Sequence, residues 1–150
     1  MSDPRLQNKE WRIDNLYKIK NKKKQLITFK RNKSQRHFDE NRHSRNIILK
    51  SRQLGFSTDE AIDMFDDCLF TRNYDGLFIA QDLDTAKDIF DNKIKLAWDN
   101  FRLRGLYRVD LNSARKIKVG TEGVYSSIAV DSSGRSGTFA RLHITEFAKL

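Results

Sequence analysis

The most informative segment of the sequence is Asn46-Ile47-Ile48-Leu49-Lys50-Ser51-Arg52-Gln53-Leu54-Gly55-Phe56-Ser57-Thr58. Its first part is apolar and rich in β-branched residues, which predicts a buried strand over Asn46–Lys50. A loop containing Gly55 follows, and Ser57 then opens an amphipathic pattern that predicts a helix. A strand, a glycine loop, a hydroxyl residue and a helix in this order predict a phosphate-binding loop, in which backbone N–H groups at a helix N-terminus face an anion.

The loop departs from the standard phosphate-loop pattern, G-x-x-x-x-G-K-[ST]. When the chain is aligned on Gly55 and Ser57, Lys50 stands at the first glycine and Phe56 stands at the lysine. The usual lysine reaches the terminal phosphates of a nucleotide, and the usual hydroxyl reaches Mg²⁺. From this pattern alone the stretch is either a degenerate nucleotide site or a chance likeness, and other parts of the chain are needed to distinguish the two.

The composition indicates one α/β domain or part of one. The chain has 150 residues, of which 38% are apolar and 33% are charged. No run approaches the ~20 apolar residues of a membrane span, and the first residues lack the apolar core of a signal peptide. Cys68 is the only cysteine, which excludes a disulfide within the chain and a cysteine-based metal site. A cytosolic protein is therefore expected.

Positive charge is concentrated in the first third of the chain. The net charge is +9, and residues 1–50 hold 15 Lys and Arg against 5 Asp and Glu, while residues 51–150 hold 14 against 15. A basic region of this kind is typical of binding to nucleic acid or another polyanion. A solvated cationic surface without a partner is the alternative.

A β-hairpin with a basic tip is predicted near the N-terminus. The segments Leu16–Lys20 and Gln25–Lys30 alternate between apolar and polar residues, and Lys22, Lys23 and Lys24 lie between them. Three adjacent lysines at a tip suit contact with phosphates. They are equally an ordinary means of keeping an edge hairpin soluble.

The remaining patterns alternate between helix and strand, which predicts a mainly parallel sheet flanked by helices. Asn32 or Ser34 is a plausible N-cap of a short helix. Gly105 is the expected C-cap of a long helix. The predicted elements are helices over 32–44, from Ser57 onward and over 83–104, and strands over 76–80, 114–119, 124–130 and 142–146.

A carboxylate stands at the end of the last predicted strand. In parallel α/β sheets, ligands bind at the carboxyl ends of the strands, so Glu146 is expected near the end of the strand that leads into the loop. A carboxylate in this place can orient and deprotonate the water that attacks a phosphate. An aspartate that helps to hold Mg²⁺ usually precedes it, and here Thr145 occupies that position.

Taken together and in order, four blocks of sequence resemble the N-terminal part of the ATPase domain of tailed-bacteriophage terminase large subunits. The blocks are Phe29–Gln35, Ile47–Thr58, Gly134–Phe139 and Leu142–Lys149. The resemblance covers residues 16–150 and leaves residues 1–15 as a polar lead-in. It implies a phosphate-loop NTPase fold that is incomplete at its C-terminus, with the C-terminal nuclease domain of the family absent and weak or no activity from these residues alone.

The resemblance also implies roles for individual residues. In this family an arginine near the start of the loop takes the place of the usual lysine, and Arg52 matches it. Glu146 matches the catalytic glutamate, and Gln35 matches the adenine-sensing glutamine. Arg135 matches an arginine that acts on a neighbouring subunit's ATP, although a structural or DNA-phosphate role is an equal alternative. The implied nucleotide contacts are Lys50, Ser51, Arg52, Gln53, Leu54, Gly55, Phe56, Ser57 and Thr58, and the implied Mg²⁺ ligands are Ser57 and Thr145.

The function that the resemblance implies is hydrolysis of ATP to move double-stranded DNA into a procapsid. The implied partners are DNA, a portal protein, a small terminase subunit and further copies of the chain in a ring, in the cytoplasm of a bacterial host and without a membrane. One alternative is another phosphate-loop ATPase that acts on DNA, such as a helicase. The other is a non-catalytic, basic DNA-binding remnant.

Overall fold

The computed structural model describes residues 3–49, 54–134 and 137–145. Within these ranges the chain is an α/β protein, as the alternating patterns predict. The helices are α1 (Lys9–Leu16), α2 (Lys33–Glu40), α3 (Phe56–Phe70), α4 (Leu83–Ile89) and α5 (Leu96–Asp99), with 3₁₀ turns at Pro4–Gln7 and Arg104–Leu106 and a π-helical segment at Phe90–Lys95. The strands are β1 (Lys18–Lys20), β2 (Leu26–Thr28), β3 (Asp75–Ile79), β4 (Arg108–Asn112), β5 (Lys116–Thr121), β6 (Val124–Asp131) and β7 (Arg141–Ile144).

The main sheet has five strands in the order β4-β5-β6-β3-β7. Strand β3 runs parallel to both of its neighbours, β6 and β7, whereas β4, β5 and β6 are joined antiparallel. The sheet is therefore mixed, and the expectation of a mainly parallel sheet is wrong. The reason is local: the turn between β5 and β6 is tight, with Glu122 and Gly123 both at positive φ, and such a hairpin forces antiparallel neighbours.

The N-terminal hairpin is confirmed. Strands β1 and β2 pair antiparallel from Lys18 with Thr28 to Lys20 with Leu26, and the lysines at the tip are exposed. The lead-in before the hairpin contains a helix that the polar composition did not reveal. Asn8 caps α1 by accepting from Trp11 N, and α1 buries Ile13 in the core.

Residues 46–49 do not form the buried strand predicted over Asn46–Lys50. They have no regular secondary structure, and Ile47 and Leu49 are 92% and 95% exposed. A strand needs a neighbour to accept its backbone hydrogen bonds, and in the described part of the chain no strand lies beside this segment. The run has the apolar composition of a strand, but a local sequence pattern does not show whether a partner strand is present.

The long helix predicted over 83–104 is interrupted and shorter. The π-helical segment separates α4 from α5, and α5 ends at Asp99. Gly105 lies inside a 3₁₀ turn and does not cap the helix. The apolar residues whose spacing predicted one helix do face the core, since Phe90, Ile94 and Trp98 are all buried.

The apolar core lies between the sheet and the helices α3, α4 and α5. Aromatic residues dominate it: Phe65 of α3 meets Tyr17 and Trp98 edge to face, and Tyr17 stacks on Phe101 with ring centroids 5.8 Å apart. These contacts place the N-terminal hairpin against the same core that supports α3. No helix among the described residues is long and apolar enough to cross a membrane.

Candidate functional site

The N-terminus of α3 and the carboxyl end of β7 meet at two hydroxyl groups. Ser57 lies in the first turn of α3, and Thr145 directly follows β7. Their Oγ and Oγ1 atoms are 3.4 Å apart, within reach of a weak hydrogen bond. The backbone of Thr145 is fixed by β3, since Thr145 N donates to Ile79 O at 2.9 Å. The two elements predicted to carry a phosphate loop and a catalytic carboxylate therefore converge.

Gly55 forms the entry to α3 in a conformation that favours glycine. Its φ is +73°, in the left-handed region, and Gly55 is the N-cap of the helix. A Cβ atom at this position would lie 2.9 Å from Nε2 of Gln35. Gln35 can therefore lie against the backbone of Gly55 only because Gly55 has no side chain.

Phe56, which stands where the usual lysine would be, points into the protein. It is buried, and its ring meets Phe38 of α2 edge to face at 5.8 Å. Phe56 thereby holds the start of α3 against α2. Leu54 and Thr58, the other described members of the predicted loop, are partly exposed.

Gln35 is buried, with only 3% of its surface exposed, and its amide is bound to the protein. Its Oε1 accepts from Asn32 N at 2.8 Å, and its backbone N donates to Asn32 Oδ1, so the two residues form a capping box at the start of α2. Its Nε2 donates to Gly55 O at 2.9 Å. Gln35 therefore connects α2 to the loop before α3.

An open, mostly apolar cavity of about 530 Å³ lies between α2 and two short segments, residues 47–49 and residues 54–56. Phe38, Leu54 and Phe56 line its wall, and His37 and Lys33 contribute polar atoms. Its volume is in the range of small-molecule sites, roughly 300–1,000 Å³. It adjoins the loop that Gln35 holds.

The acidic residues of α3 form a buried ion-pair cluster that the sequence did not predict. Asp59 binds Arg31 Nε at 2.7 Å, and Glu60 binds Arg42 Nη2 at 2.6 Å. Both carboxylates thus face arginines of the protein. Arg141 of β7 binds Glu60 as well.

Burial raises the pKa of several of the α3 carboxyl groups, most clearly that of Glu60. Desolvation raises the pKa of the Glu60 carboxyl to about 7, although Arg42 opposes the shift. Desolvation also raises the pKa of Asp59 and Asp67. One feature of the sequence could have indicated this cluster: α3 carries five acidic residues and no lysine or arginine. Any cation that pairs with these acids must therefore come from another element.

The donor set for a metal ion is small. Among the described residues, no group of three or more His, Cys, Asp and Glu side chains is arranged to hold a metal ion. The predicted ligands Ser57 and Thr145 are adjacent and supply two hydroxyl oxygens. This set suits an ion that takes its other ligands from water and a bound ligand, as Mg²⁺ commonly does.

Several predicted site residues lie outside the described residues. They are Lys50, Ser51, Arg52, Gln53, Arg135 and Glu146. Their assignments stay predictions. The structure does bring Gln35, Gly55, Ser57 and Thr145 to one region, at the junction of α2, α3 and β7.

No protein-family model matches the chain, and no curated protein sequence matches it. A solved structure does: the large terminase ATPase domain of a Thermus phage, with a TM-score of 0.54 and 19% sequence identity. The match covers 65% of this chain and 46% of that chain, so the chain spans less than half of the neighbour's length. The resemblance indicated by the sequence blocks is thus confirmed at the level of the fold.

Proposed function

We propose that the chain is the phosphate-loop part of the ATPase domain of a phage large terminase. The observation that carries the proposal is the approach of Ser57 and Thr145 to 3.4 Å. This contact brings Gly55 and the N-terminus of α3 to the carboxyl end of β7, and Glu146 follows Thr145 in the sequence. The four ordered sequence blocks and the likeness of the fold to a terminase ATPase domain support it.

In this proposal the ligand is ATP, and the loop residues 50–58 hold its phosphates. The N-terminus of α3 attracts the anion. Arg52 supplies the positive charge that the loop lacks at Phe56, because a guanidinium stays charged and can bridge two phosphate oxygens. Gln35, whose amide binds Asn32 N and Gly55 O in this structure, would contact the adenine edge by exchanging these hydrogen bonds for ones to the base. The apolar cavity beside Phe38 and Phe56 is where the base packs.

Hydrolysis rests on Glu146, the residue after Thr145. Its carboxylate orients the attacking water and accepts a proton from it. Ser57 and Thr145 hold Mg²⁺ together with nucleotide oxygens and water, and the ion supplies neutralisation of the phosphate charge. Arg135 acts on the ATP of a neighbouring subunit, or alternatively binds a DNA phosphate.

The proposed role of the hydrolysis is movement of double-stranded DNA into a procapsid. The basic hairpin, with exposed Lys22, Lys23 and Lys24 at its tip, suits contact with the DNA backbone. In the full protein a homo-oligomeric ring works with a portal protein and a small terminase subunit, in the cytoplasm of the bacterial host.

The test measures ATP binding and ATP turnover separately, in a longer protein that carries the whole ATPase domain, since weak or no activity is expected from these 150 residues alone. Arg52→Ala is expected to abolish binding of a fluorescent ATP analogue, whereas Arg45→Ala, at an exposed arginine seven residues earlier, leaves it unchanged. Glu146→Gln is expected to keep binding and to lower turnover by about 10²-fold or more. Glu40→Gln, at an exposed glutamate, is its control.

Three results would contradict the proposal. Turnover that Glu146→Gln does not change would remove the catalytic assignment. Binding of DNA without any binding of ATP would favour the non-catalytic DNA-binding remnant. ATP-driven separation of DNA strands would favour a helicase.

A further inference from the structure

One face of α3 matches one face of β7 in a polar interface. Arg141, His143 and Thr145 alternate along the strand and so share a face. Glu60, Asp63 and Asp67 are spaced by three and four along the helix and share a face with Ser57. The pairs that form are Arg141 with Glu60, Asp63 and Asp67, His143 with Glu60, and Thr145 with Ser57.

Arg141 makes the strongest contacts in this interface. Its Nη2 donates to Glu60 Oε2 at 2.6 Å, and its Nη1 donates to Asp63 and to Asp67 Oδ2, the latter at 3.3 Å. The Arg141 side chain is 18% exposed, and those of Glu60 and Asp63 are 4% and 2% exposed. A guanidinium donates in a rigid planar fork, so these contacts fix direction as well as distance.

Two further arginines, one on either side of α2, bind the same carboxylates of α3. Arg31, just before α2, donates to Asp63 Oδ1 at 2.6 Å, and Arg42, just after α2, donates to Glu60 Oε1 at 2.6 Å. Glu60 and Asp63 therefore join α2, α3 and β7. These are the three elements that carry or adjoin Gln35, Ser57 and Thr145.

We propose that Arg141 is a positioning residue, whose ion pairs with Glu60 and Asp63 set where α3 lies over β7 and thereby hold Ser57 against Thr145. The backbone of Thr145 is already fixed by its hydrogen bond to Ile79 of β3. What Arg141 determines is the placement of the helix, and with it of Gly55 and Ser57 at the helix N-terminus. The link to catalysis rests on the proposed function, whereas the placement itself does not.

An ion-paired interface between α3 and β7 restricts the position of the helix more than an apolar interface would. A buried ion pair contributes little net stability compared with a packed apolar pair, because both charges lose their hydration. Its requirement for geometry is strict, since a shifted helix would leave charges unpaired. An apolar interface would tolerate a shift of α3 along the strand far better.

The placement can be tested by cross-linking. In the full chain with Cys68→Ala, Ser57→Cys and Thr145→Cys are introduced, and disulfide formation is followed under a fixed redox buffer. The pair is expected to cross-link readily with Arg141 present. Arg141→Met is expected to slow cross-linking at least tenfold, and Arg141→Lys, which keeps the charge but loses the fork, about threefold.

Arg12→Met is the matched control. Arg12 makes a buried pair with Asp66 of α3, with Nη2 to Oδ2 at 2.7 Å, but it comes from α1, and its other contacts are with Leu6 O and the ring of Phe70. It is expected to lower the melting temperature without changing the rate of cross-linking of the folded protein. Circular dichroism establishes that each variant is folded, and Arg141→Lys carries the test if Arg141→Met does not fold.

Two cross-linking results would overturn the inference. The first is a parent protein that does not cross-link, because the contact between Ser57 and Thr145 would then be absent. The second is a folded Arg141 variant that cross-links as fast as the parent.

A separate arm measures steady-state ATP hydrolysis with Ser57 and Thr145 intact. Arg141→Met is expected to lower kcat at least tenfold with KM changed less than threefold, and Arg141→Lys to recover part of kcat, whereas Arg12→Met changes neither. An unchanged kcat in Arg141→Met would overturn the catalytic link. This arm uses the longer protein that carries the whole ATPase domain. If that protein, unmodified, neither binds nor hydrolyses ATP, the proposed function fails, while the cross-linking result still decides the placement.

Discussion

Helix α3 is held in opposite ways on its two faces. On one face Ile62, Phe65 and Leu69 are buried in the aromatic core. On the other, Glu60 and Asp63 are equally buried but are surrounded by arginines. Apolar contacts are non-directional and supply most of the free energy of folding, whereas the buried ion pairs supply direction. Helix α3 is therefore stabilised by its apolar face and oriented by its polar face.

The largest expected effect comes from breaking the apolar face. Phe65→Ala is expected to lower the free energy of unfolding by about 4 kcal/mol, since it removes a fully buried ring and leaves a cavity against Tyr17 and Trp98. Urea unfolding followed by tryptophan fluorescence measures it. Phe139→Ala, at a partly exposed ring, is the control and should change little. Equal losses in the two variants would contradict the assignment of the core.

The next effect comes from breaking the polar face. Arg31→Met is expected to cost about 3 kcal/mol, because it leaves the carboxylate of Asp59 buried without its arginine and removes one of the cations that bind Asp63. Adding Asp59→Asn should restore part of this loss. Arg72→Met removes an exposed pair with Glu122 and serves as the control. The comparison of the two faces would fail if Arg31→Met were no more destabilising than Arg72→Met in urea unfolding.

The contribution of the polar face to the free energy of unfolding should depend on pH, whereas that of the apolar face should not. The folded-state pKa of Glu60, about 7, lies above the ordinary value of 4.5 because burial disfavours the charged form. The folded protein then binds the proton more tightly, so stability falls as pH rises from about 4.5 to about 7 and levels off above that. The contribution is at most about 3 kcal/mol, at about 1.4 kcal/mol per unit of pKa shift.

Glu60→Gln tests this pH dependence. The free energy of unfolding, measured in urea at several pH values, should fall less steeply between pH 4.5 and 7 in the variant than in the parent. Glu122→Gln, at an exposed glutamate, should follow the parent. Asp59 and Asp67 have raised pKa values too, so a dependence of the same sign remains at lower pH. An unchanged slope in Glu60→Gln would contradict the cause given for the shift.

The smallest effect is expected at the end of α3 where both faces begin. Gly55→Ala is expected to cost about 1–2 kcal/mol, because a Cβ atom is disfavoured at φ +73° and would also press on Gln35. Gly105→Ala meets no neighbour within 4 Å and is not at positive φ, so it should be neutral. Thermal unfolding of the two variants is the measurement, and similar shifts in both would exclude strain at Gly55.

Elements with a strong local pattern could be predicted from the sequence. The hairpin β1–β2, the strands β5 and β6 with their turn, and α3 with its apolar spacing were all found near their predicted positions. Helix α1 was missed because its sequence, Lys9-Glu-Trp-Arg-Ile-Asp-Asn-Leu16, is mostly polar. Its stability comes from Asn8 at the cap and from burial of Ile13, and only the first of these is a local signal.

The errors arise where the outcome depends on distant residues. The run Ile47-Ile48-Leu49 has the composition of a strand, but strand formation requires a neighbour that no local pattern reveals. Likewise the acids of α3 would ordinarily be solvent-exposed, and only the fold brings arginines to them. The rule that ligands bind at the carboxyl ends of parallel strands predicted in outline that the loop and the end of the last strand lie close together. Residues 46–49 form no strand, however, so the contact of Ser57 with Thr145 is made by α3 and the end of β7.

The ion-pair cluster also sets an order of events as the chain folds. Arg42 is 18 residues from Glu60, and Arg31 is 28 residues from Asp59, whereas Arg141 is 81 residues from Glu60. Closing a longer loop costs more entropy, and during synthesis the N-terminal residues emerge first. The carboxylates of α3 therefore meet the arginines around α2 early and receive Arg141 last. The junction of Ser57 and Thr145 is accordingly among the last parts of the molecule to form, and a stalled or shortened chain that lacks β7 would display α3 with its acidic face only partly neutralised.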